Sequence, residues 1–450
     1  MRQNLQPQLP IVHLQIDHNH AFELLAMGQV LDEEATINDL VFADLTSGGA
    51  RIDTGREGMT AEQTLRALMV KQMNGFSYQE LAFHLADSRS YKTFCRFGIN
   101  DKTPSKATLQ RNIKKLRPET LEAINQIIIR RAAEEGIDRG RKVRVDCTGV
   151  ETNIHTPTDS SLLFDCVRVL TRLLHRAEDL VGFTFTDHYR RAKRRVIGIR
   201  SARSKRRKNL YRDLLMVTHA TVSFAEDADA PLMNAKGLNI MDALAAKGLA
   251  VELRDCIELT HRVIDQTERR VIKGESVPAT EKLVSIFETH TDIIKKDRRD
   301  PLYGHKVCLS TGFSGLVTDC VVEDGNPSDS TLAVRMMIRQ KEIYGRPPRQ
   351  AAFDGGFASK TNLQDIKDLG VKDVAFSKGR GLKIPDMAKS SWVYKRLRNF
   401  RAGIEGMISF LKRCFGLRRC TWRSLPSFKA YAWSSIVSAN LLILSRHMLN

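Results

Sequence analysis

The chain has 450 residues, a net charge of +19 and a pI of about 9.7. It is long enough for two or three domains with a substantial core, and its basic excess calls for a polyanionic partner, nucleic acid before membrane. Eight cysteines (Cys95, Cys147, Cys166, Cys256, Cys308, Cys320, Cys414 and Cys420) include no C-x2-C pair, which argues against a zinc site or disulfide framework and for reduced core thiols in a cytoplasm.

Residues 1–56 read as an irregular N-terminal segment, and the first ten show no basic-then-apolar export signal. A helical domain follows over 57–138. Thr60-x-x-Gln63 has the pattern of a capping box, Leu65, Leu68, Met69 and Met73 recur at helical spacing, and Gly75 can close the helix. Ser77-x-x-Glu80 opens a second helix with Leu81 and Leu85 inward, and a third lies around 91–97. Two more carry Leu109, Ile113 and Leu116, then Leu121, Ile124 and Ile128. Short helices with tight turns suit a helix-turn-helix DNA reader, as they suit any small bundle.

Near residue 141 the period changes to two. Val143, Val145 and Cys147 alternate with polar residues as in a half-buried strand, which puts Asp146 on the other side of the pleat. Helix returns over 155–300 as an insertion, with apolar faces at Leu162, Leu163, Cys166, Val167, Leu170, Leu173 and Leu174, then at Leu253, Ile257, Leu259 and Val263, then at Leu283, Ile286 and Ile293. Within it, 190–208 holds eleven Lys/Arg and no acid: Arg190, Arg191, Lys193, Arg194, Arg195, Arg200, Arg203, Lys205, Arg206, Arg207 and Lys208. Tyr189 and Tyr211 flank this tract. It reads either as a mobile solvated loop or as a DNA-backbone contact, which would bring a salt slope of about −0.9 per duplex phosphate neutralised. Self-repulsion favours the anionic partner.

Strands resume over 305–311 and 316–323, joined by the turn Gly312-Phe-Ser-Gly315. Gly325-Asn-Pro-Ser-Asp329 opens a helix through 337, a strand ends at Asp354, a helix covers 360–369, a strand 371–377, and the chain is helical from 395. The apolar run 430–444, broken by Ser434, Ser435, Ser438 and Asn440, is too short and polar for a bilayer and reads as a packed C-terminal helix. The order describes an α/β fold: a mixed sheet built from 139–154 and 301–450, with the helical insertion after its first strand.

Three separated carboxylates stand out. Asp146 lies in a strand, Asp354 ends one, and Glu405 lies in Arg401-x3-Glu405-x6-Lys412 on a helix. Hard oxygen ligands of this kind can hold two divalent ions against a phosphodiester. At 100° per residue Arg401, Glu405 and Lys412 share a stripe, with Arg398 beside it and Ile404, Ile408, Leu411 and Phe415 adjacent. The plainer alternatives are a solvated strand Asp and an ordinary Arg–Glu surface pair. Gly355-Gly356 either lets a nucleic-acid backbone approach or makes a tight turn. His155 and His305 are candidates for contacting phosphate or helping in proton transfer, or else structural residues. Lys395, Arg396, Arg398, Arg413, Arg418, Arg419 and Arg423 bracket the Glu405 helix, and Trp422 among them is placed either to stack on a base or to pack in the core.

These segments resemble the DDE transposases of bacterial insertion sequences. The resemblance covers most of the chain. It runs through the first-Asp segment from Asp146-Cys-Thr-Gly to Ser161, through Tyr303-Gly-His-Lys-Val307, Gly325-Asn-Pro-Ser-Asp-Ser330 and Ala352-Phe-Asp354-Gly-Gly-Phe357, and through the N-terminal stretch from Phe76-Ser-Tyr-Gln-Glu-Leu81 to Phe94-Cys-Arg-Phe97. The family's Tyr-x2-Arg-x3-Glu-x6-Lys signature is matched at Arg401, Glu405 and Lys412, but Arg398 replaces its Tyr. The resemblance implies a ribonuclease H-like core, an N-terminal helical DNA-binding domain, and Asp146, Asp354 and Glu405 as catalytic ligands of two Mg²⁺ ions, with Mn²⁺ able to substitute. It also implies Arg401 and Lys412 as phosphate contacts, beside which Arg398, Trp422 and the 190–208 tract are the further candidate DNA contacts read from the residues. The partners are then double-stranded DNA at the element ends and at the target, and further copies of the chain in a dimer or higher oligomer. The location is cytoplasmic, on the nucleoid, with no membrane. A non-catalytic DNA-binding protein and a stand-alone metal nuclease remain the alternatives.

Overall fold

The computed structural model describes residues 3–4, 16–47, 58–98, 100–235, 238–295 and 300–450. They divide into two compact units, Met1–Asn153 with Gly304–Asn450, and Ile154–Tyr303. The first ten residues, where no export signal is expected, lie mostly outside the described part.

Five strands lying wholly or mostly in the first unit, β1 (Lys142–Glu151), β2 (Leu302–Thr311), β3 (Val317–Val322), β4 (Gln350–Phe353) and β5 (Asp373–Phe376), lie in the order β3-β2-β1-β4-β5. β2 runs antiparallel to β1 and β3, whereas β4 is parallel to β1 and to β5. This is the ribonuclease H-like arrangement. From Lys142 to Cys147 the burial along β1 alternates as the period of two requires. Val143, Val145 and Cys147 enter a core with Met336, Met337, Phe353 and Phe376, and Asp146 stands on the other face. The β2–β3 turn closes where expected, with Gly312 N donating to Leu316 O and Gly315 at φ +91°. Asp138 accepts from both the amide and the hydroxyl of Ser314 and pins that turn.

The helices of the N-terminal segment share one core with the C-terminal helix Leu425–Leu449 and the outer strands. Segment 1–56 departs from the irregular reading: Asn19–Glu33 and Ala35–Thr46 are helices. Leu24, Met27 and Leu31, then Ile37, Val41 and Leu45, are buried at helical spacing, so the periodic signal was present but short. Ser434, Ser435, Ser438 and Asn440 of the C-terminal helix are buried and bonded. Gln72 donates to Ser434 and Ser435, and Asn440 donates to the Val317 carbonyl while accepting from the Val317 amide, so it completes the edge of β3. Among the described residues no helix is long and apolar enough to cross a membrane.

Both capping boxes form, at Thr60/Gln63 and Ser77/Glu80, and Gly75 ends its helix at φ +66°. The helix Ala61–Asn74 is buried on nearly every face, charged residues included. Arg66, 1 % exposed, bonds Asp32 at 2.7 Å and pairs with Glu62 at 3.2 Å. This helix is therefore a support, and Tyr78–Asp87 and Lys106–Ile113 are the neighbours that keep a solvent face.

Lys71 of the same helix lies beneath the Tyr78 ring, 5.2 Å from its centroid. Burial pushes its pKa down from 10.5 to about 8, against the opposing pull of Cys420 and Glu80. The folded chain thus sheds this proton before the unfolded chain does. The penalty is fully present below pH 8 and is relieved as pH rises toward 10.5. Lys71→Met is expected to stabilise the protein at pH 7 by up to about 3 kcal/mol, at 1.36 kcal/mol per unit. It should also flatten the difference in melting temperature between pH 8 and 10.5. A variant that keeps the wild-type slope over that range would refute the assignment.

The second unit is helical over Asp159–Val181, Tyr189–Ser201, Ser204–Asp227, Asp229–Met233 and Ile240–Thr267, around its own core of Leu163, Leu170, Leu214, Leu249 and Val263. The helical reading of 155–300 fails over its last part, where 275–291 is turns and Asp292–Ile294 a short strand. There Gln266 binds both the amide and the carbonyl of Leu283, so side chains rather than a helix satisfy the backbone. All eight cysteines are free, and only Cys414 is exposed.

Candidate active site

The parallel pairing of β1 with β4 brings Val145 opposite Phe353. The next residue on each strand is a carboxylate, so Asp146 and Asp354 are register neighbours on adjacent strands, about 5 Å apart in backbone. Ser377, the residue after β5, is placed by the same rule, because Phe376 pairs with Phe353. Its hydroxyl donates to Asp354 Oδ1 at 2.7 Å and accepts from the Gly355 amide at 2.8 Å. Ser377 orients Asp354 and was not singled out from the sequence. The strand order was the missing information.

The helix Ser391–Cys414, capped by Ser390, packs on the polar face of β1. Lys142 and Arg144 lie 4.3 and 4.6 Å from the centroid of the Phe400 ring, and Arg144 donates to the Phe400 carbonyl. Burial first, then the charges of Arg396 and Arg144, push the Lys142 pKa down. Farther along, Lys412 Nζ donates to Gly149 O at 2.9 Å. Between these two anchors sits Arg401. Its Nη2 is 2.9 Å from Asp146 Oδ2 and 3.3 Å from Asp354 Oδ1, and its Nη1 is 2.6 Å from Glu405 Oε1. The Arg401–Glu405 surface pair therefore exists, but its guanidinium also binds both strand carboxylates. Glu405 is on the open side, with its side chain 64 % exposed.

Other candidates fall elsewhere. Arg398 is exposed one turn before Arg401. Trp422 is corrected: it is buried at 3 %, edge-on to Tyr431 at 5.6 Å, and is a core residue rather than a stacking platform. The exposed tryptophan is Trp392, 63 % accessible and covered by Arg396 at 4.6 Å. Of the readings open for His305 the structural one holds, since it is fully buried against Phe428 at 4.8 Å and so withdrawn from any phosphate. Gly355 and Gly356 start a short 3-10 turn whose flanks are filled by the protein. A Cβ would stand 2.8 Å from Lys378 and 2.9 Å from Asp329 respectively. In the second unit, His155 lies 3.5 Å from Asp165. The 190–208 tract is two helices joined at 202–203 rather than a loop, since Ala192, Val196 and Ile199 supply a buried face. Asp213 engages Arg191 and Arg195, whereas Arg190, Lys193, Arg194, Arg200, Arg203, Lys205, Arg206 and Arg207 are exposed and Lys208 is half-buried.

The donor set suits a divalent cation: three hard carboxylates, two of them neighbours in register, with a positive charge already seated among them. As they stand, the described residues gather no group of three metal-ligating side chains onto one point. The guanidinium occupies the centre. Family comparison adds two matches, a transposase domain (DUF772) over residues 12–115 and a transposase DDE domain over residues 260–441. The chain is a DDE transposase of the insertion-sequence type. No curated protein and no solved structure matches it. The DDE match takes in Asp354, Arg401, Glu405 and Lys412, while Asp146 lies upstream of it, beyond the second unit's helices. Membership makes DNA the substrate of the transposase and divalent metal its general requirement.

Proposed function

We propose that the transposase binds the terminal inverted repeats of its element and uses Asp146, Asp354 and Glu405 to hold two Mg²⁺ ions for DNA cleavage and strand transfer. The observation that carries this reading is the meeting of all three carboxylates at one guanidinium. Bound metal would supply Lewis-acid activation of the attacking oxygen and charge for the leaving one. In the first step water attacks phosphorus at the element end, the bond to the 3′ oxygen breaks, and that oxygen leaves as a 3′-hydroxyl. In the second, this hydroxyl attacks a target phosphodiester, and the displaced target 3′ oxygen takes up a proton.

The chain's own residues set the geometry. β1 and β4 hold Asp146 and Asp354 on rigid strands, Ser377 fixes the Asp354 rotamer, and Lys412, tied to Gly149, holds the helix of Glu405 along β1. Exposed Arg398 shares the Glu405 stripe and replaces the family's Tyr as a phosphate contact. The basic helices of the second unit add backbone contacts. Two or more copies would pair the ends.

The test uses purified protein, Mg²⁺ and labelled DNA spanning the two flanks of its own gene, with Glu405→Gln as control. Discrete cuts and joined products, lost in the control, are expected. Cuts without joining would indicate a nuclease, and tight binding by both proteins without cutting would indicate a non-catalytic DNA-binding protein.

A further inference from the structure

We propose that Arg401 is the positioning residue of the triad: an internal cation that gathers the three carboxylates before metal binds and must leave for metal to enter. The inference rests on the metal-site reading above. Arg401 Nη2 donates to Asp146 and lies in ion-pair range of Asp354, and Nη1 donates to Glu405. One unit of positive charge thus offsets three negative charges that would otherwise repel one another. The side chain is 16 % exposed, and its Nε is buried with no hydrogen-bond partner among the described residues. The guanidinium is therefore held by the carboxylates and little else on its own stem, an arrangement that lets it be exchanged for another cation.

Two consequences separate this from an ordinary ion pair. The carboxylates do not converge on one point while the guanidinium is present, so metal entry and Arg401 departure are coupled. The two cations compete for the same oxygens, so removing the charge of Arg401 should tighten metal binding even as it loosens the metal-free protein. The displaced guanidinium, still on the helix that carries Glu405, becomes available to a DNA phosphate, to which its planar fork is suited. Arg401 would in this way link metal loading to DNA engagement.

Mg²⁺ affinity is measured by calorimetry on full-length wild type, Arg401→Gln, Arg401→Lys and the double variant Asp146→Asn/Asp354→Asn, with melting temperatures recorded with and without MgCl₂. The expected result is a dissociation constant lowered about tenfold or more in Arg401→Gln, since one like charge has been taken from the site. Its melting temperature should be lower without metal and rise more with it, while Arg401→Lys stays near wild type. Should Arg401→Gln lose its fold in metal-free buffer, recovery on adding MgCl₂, and not NaCl of the same ionic strength, gives the same support, and failure to recover counts against the proposal. An affinity in Arg401→Gln equal to or weaker than wild type overturns it. Failure of the underlying reading looks different: the double Asn variant would then bind Mg²⁺ as well as wild type.

Discussion

Asp354→Asn is expected to lower the rate of end cleavage by about 10³-fold or more while leaving DNA binding intact, and Asp146→Asn should do the same. Asn is the informative substitution because it keeps the shape and the acceptor. Ser377 can still donate to the side-chain oxygen, so the turn after β4 stays in place and only the negative charge is removed. Asp146 and Asp354 sit on neighbouring strands with their carboxylates at one nitrogen, so each loss strips the same centre. Asp368→Asn serves as the control, since Asp368 is exposed on the helix Lys360–Asp368 and accepts from Gln364 of the same helix. Single-turnover cleavage with flank DNA, read beside a binding assay, measures the effect. Near wild-type cleavage by Asp354→Asn would mean that the triad has been wrongly assigned.

The second large effect concerns the fold that supports the triad. Gly304 pairs with Glu151 across β1 and β2, and a Cβ at that position would lie 1.9 Å from the Val150 carbonyl oxygen and 2.7 Å from the Glu151 Cα. Both are backbone atoms of the strand that carries Asp146, so no side chain can move aside. Gly304→Ala should cost about 3 kcal/mol or more, at or above the upper end of overpacking costs. Gly406→Ala provides the contrast: its Cβ would meet nothing within 4 Å, and the site is mid-helix, where Ala is favoured over Gly by about 1 kcal/mol. Urea unfolding of the two variants tests the pair. Equal stability in Gly304→Ala and wild type would show that β1 and β2 do not approach as closely as described.

Much of the architecture was legible along the chain because its signals are local. A capping box needs only four residues, which is why Thr60/Gln63 and Ser77/Glu80 could be read directly. The alternation Val143, Val145, Cys147 placed Asp146 on the polar face because a strand repeats every two residues. The spacing of Arg401, Glu405 and Lys412 put them on one stripe for the same kind of reason. Composition set the basic character.

What the residues do there depended on partners far away in sequence. Gly403 and Gly406 look alike in the chain, yet a Cβ at Gly403 would strike Arg144 at 1.9 Å while one at Gly406 is free. Trp422 suited either stacking on a base or packing in the core, and only the packing decided, burying it while leaving Trp392 exposed. In the helix Ala61–Asn74 the spacing marked only Leu65, Leu68, Met69 and Met73, and it is the C-terminal helix, hundreds of residues on, that helps to close over the rest. The strand order brings Phe353 beside Val145, and so Asp354 beside Asp146. Helix–sheet packing then sets Arg401 between them. The sequence by itself therefore determined periods, caps and charge, which are properties of neighbouring residues. Tertiary structure decided register, burial and the Arg401-centred triad, because pairing and packing are set by the fit of surfaces that distant segments bring together.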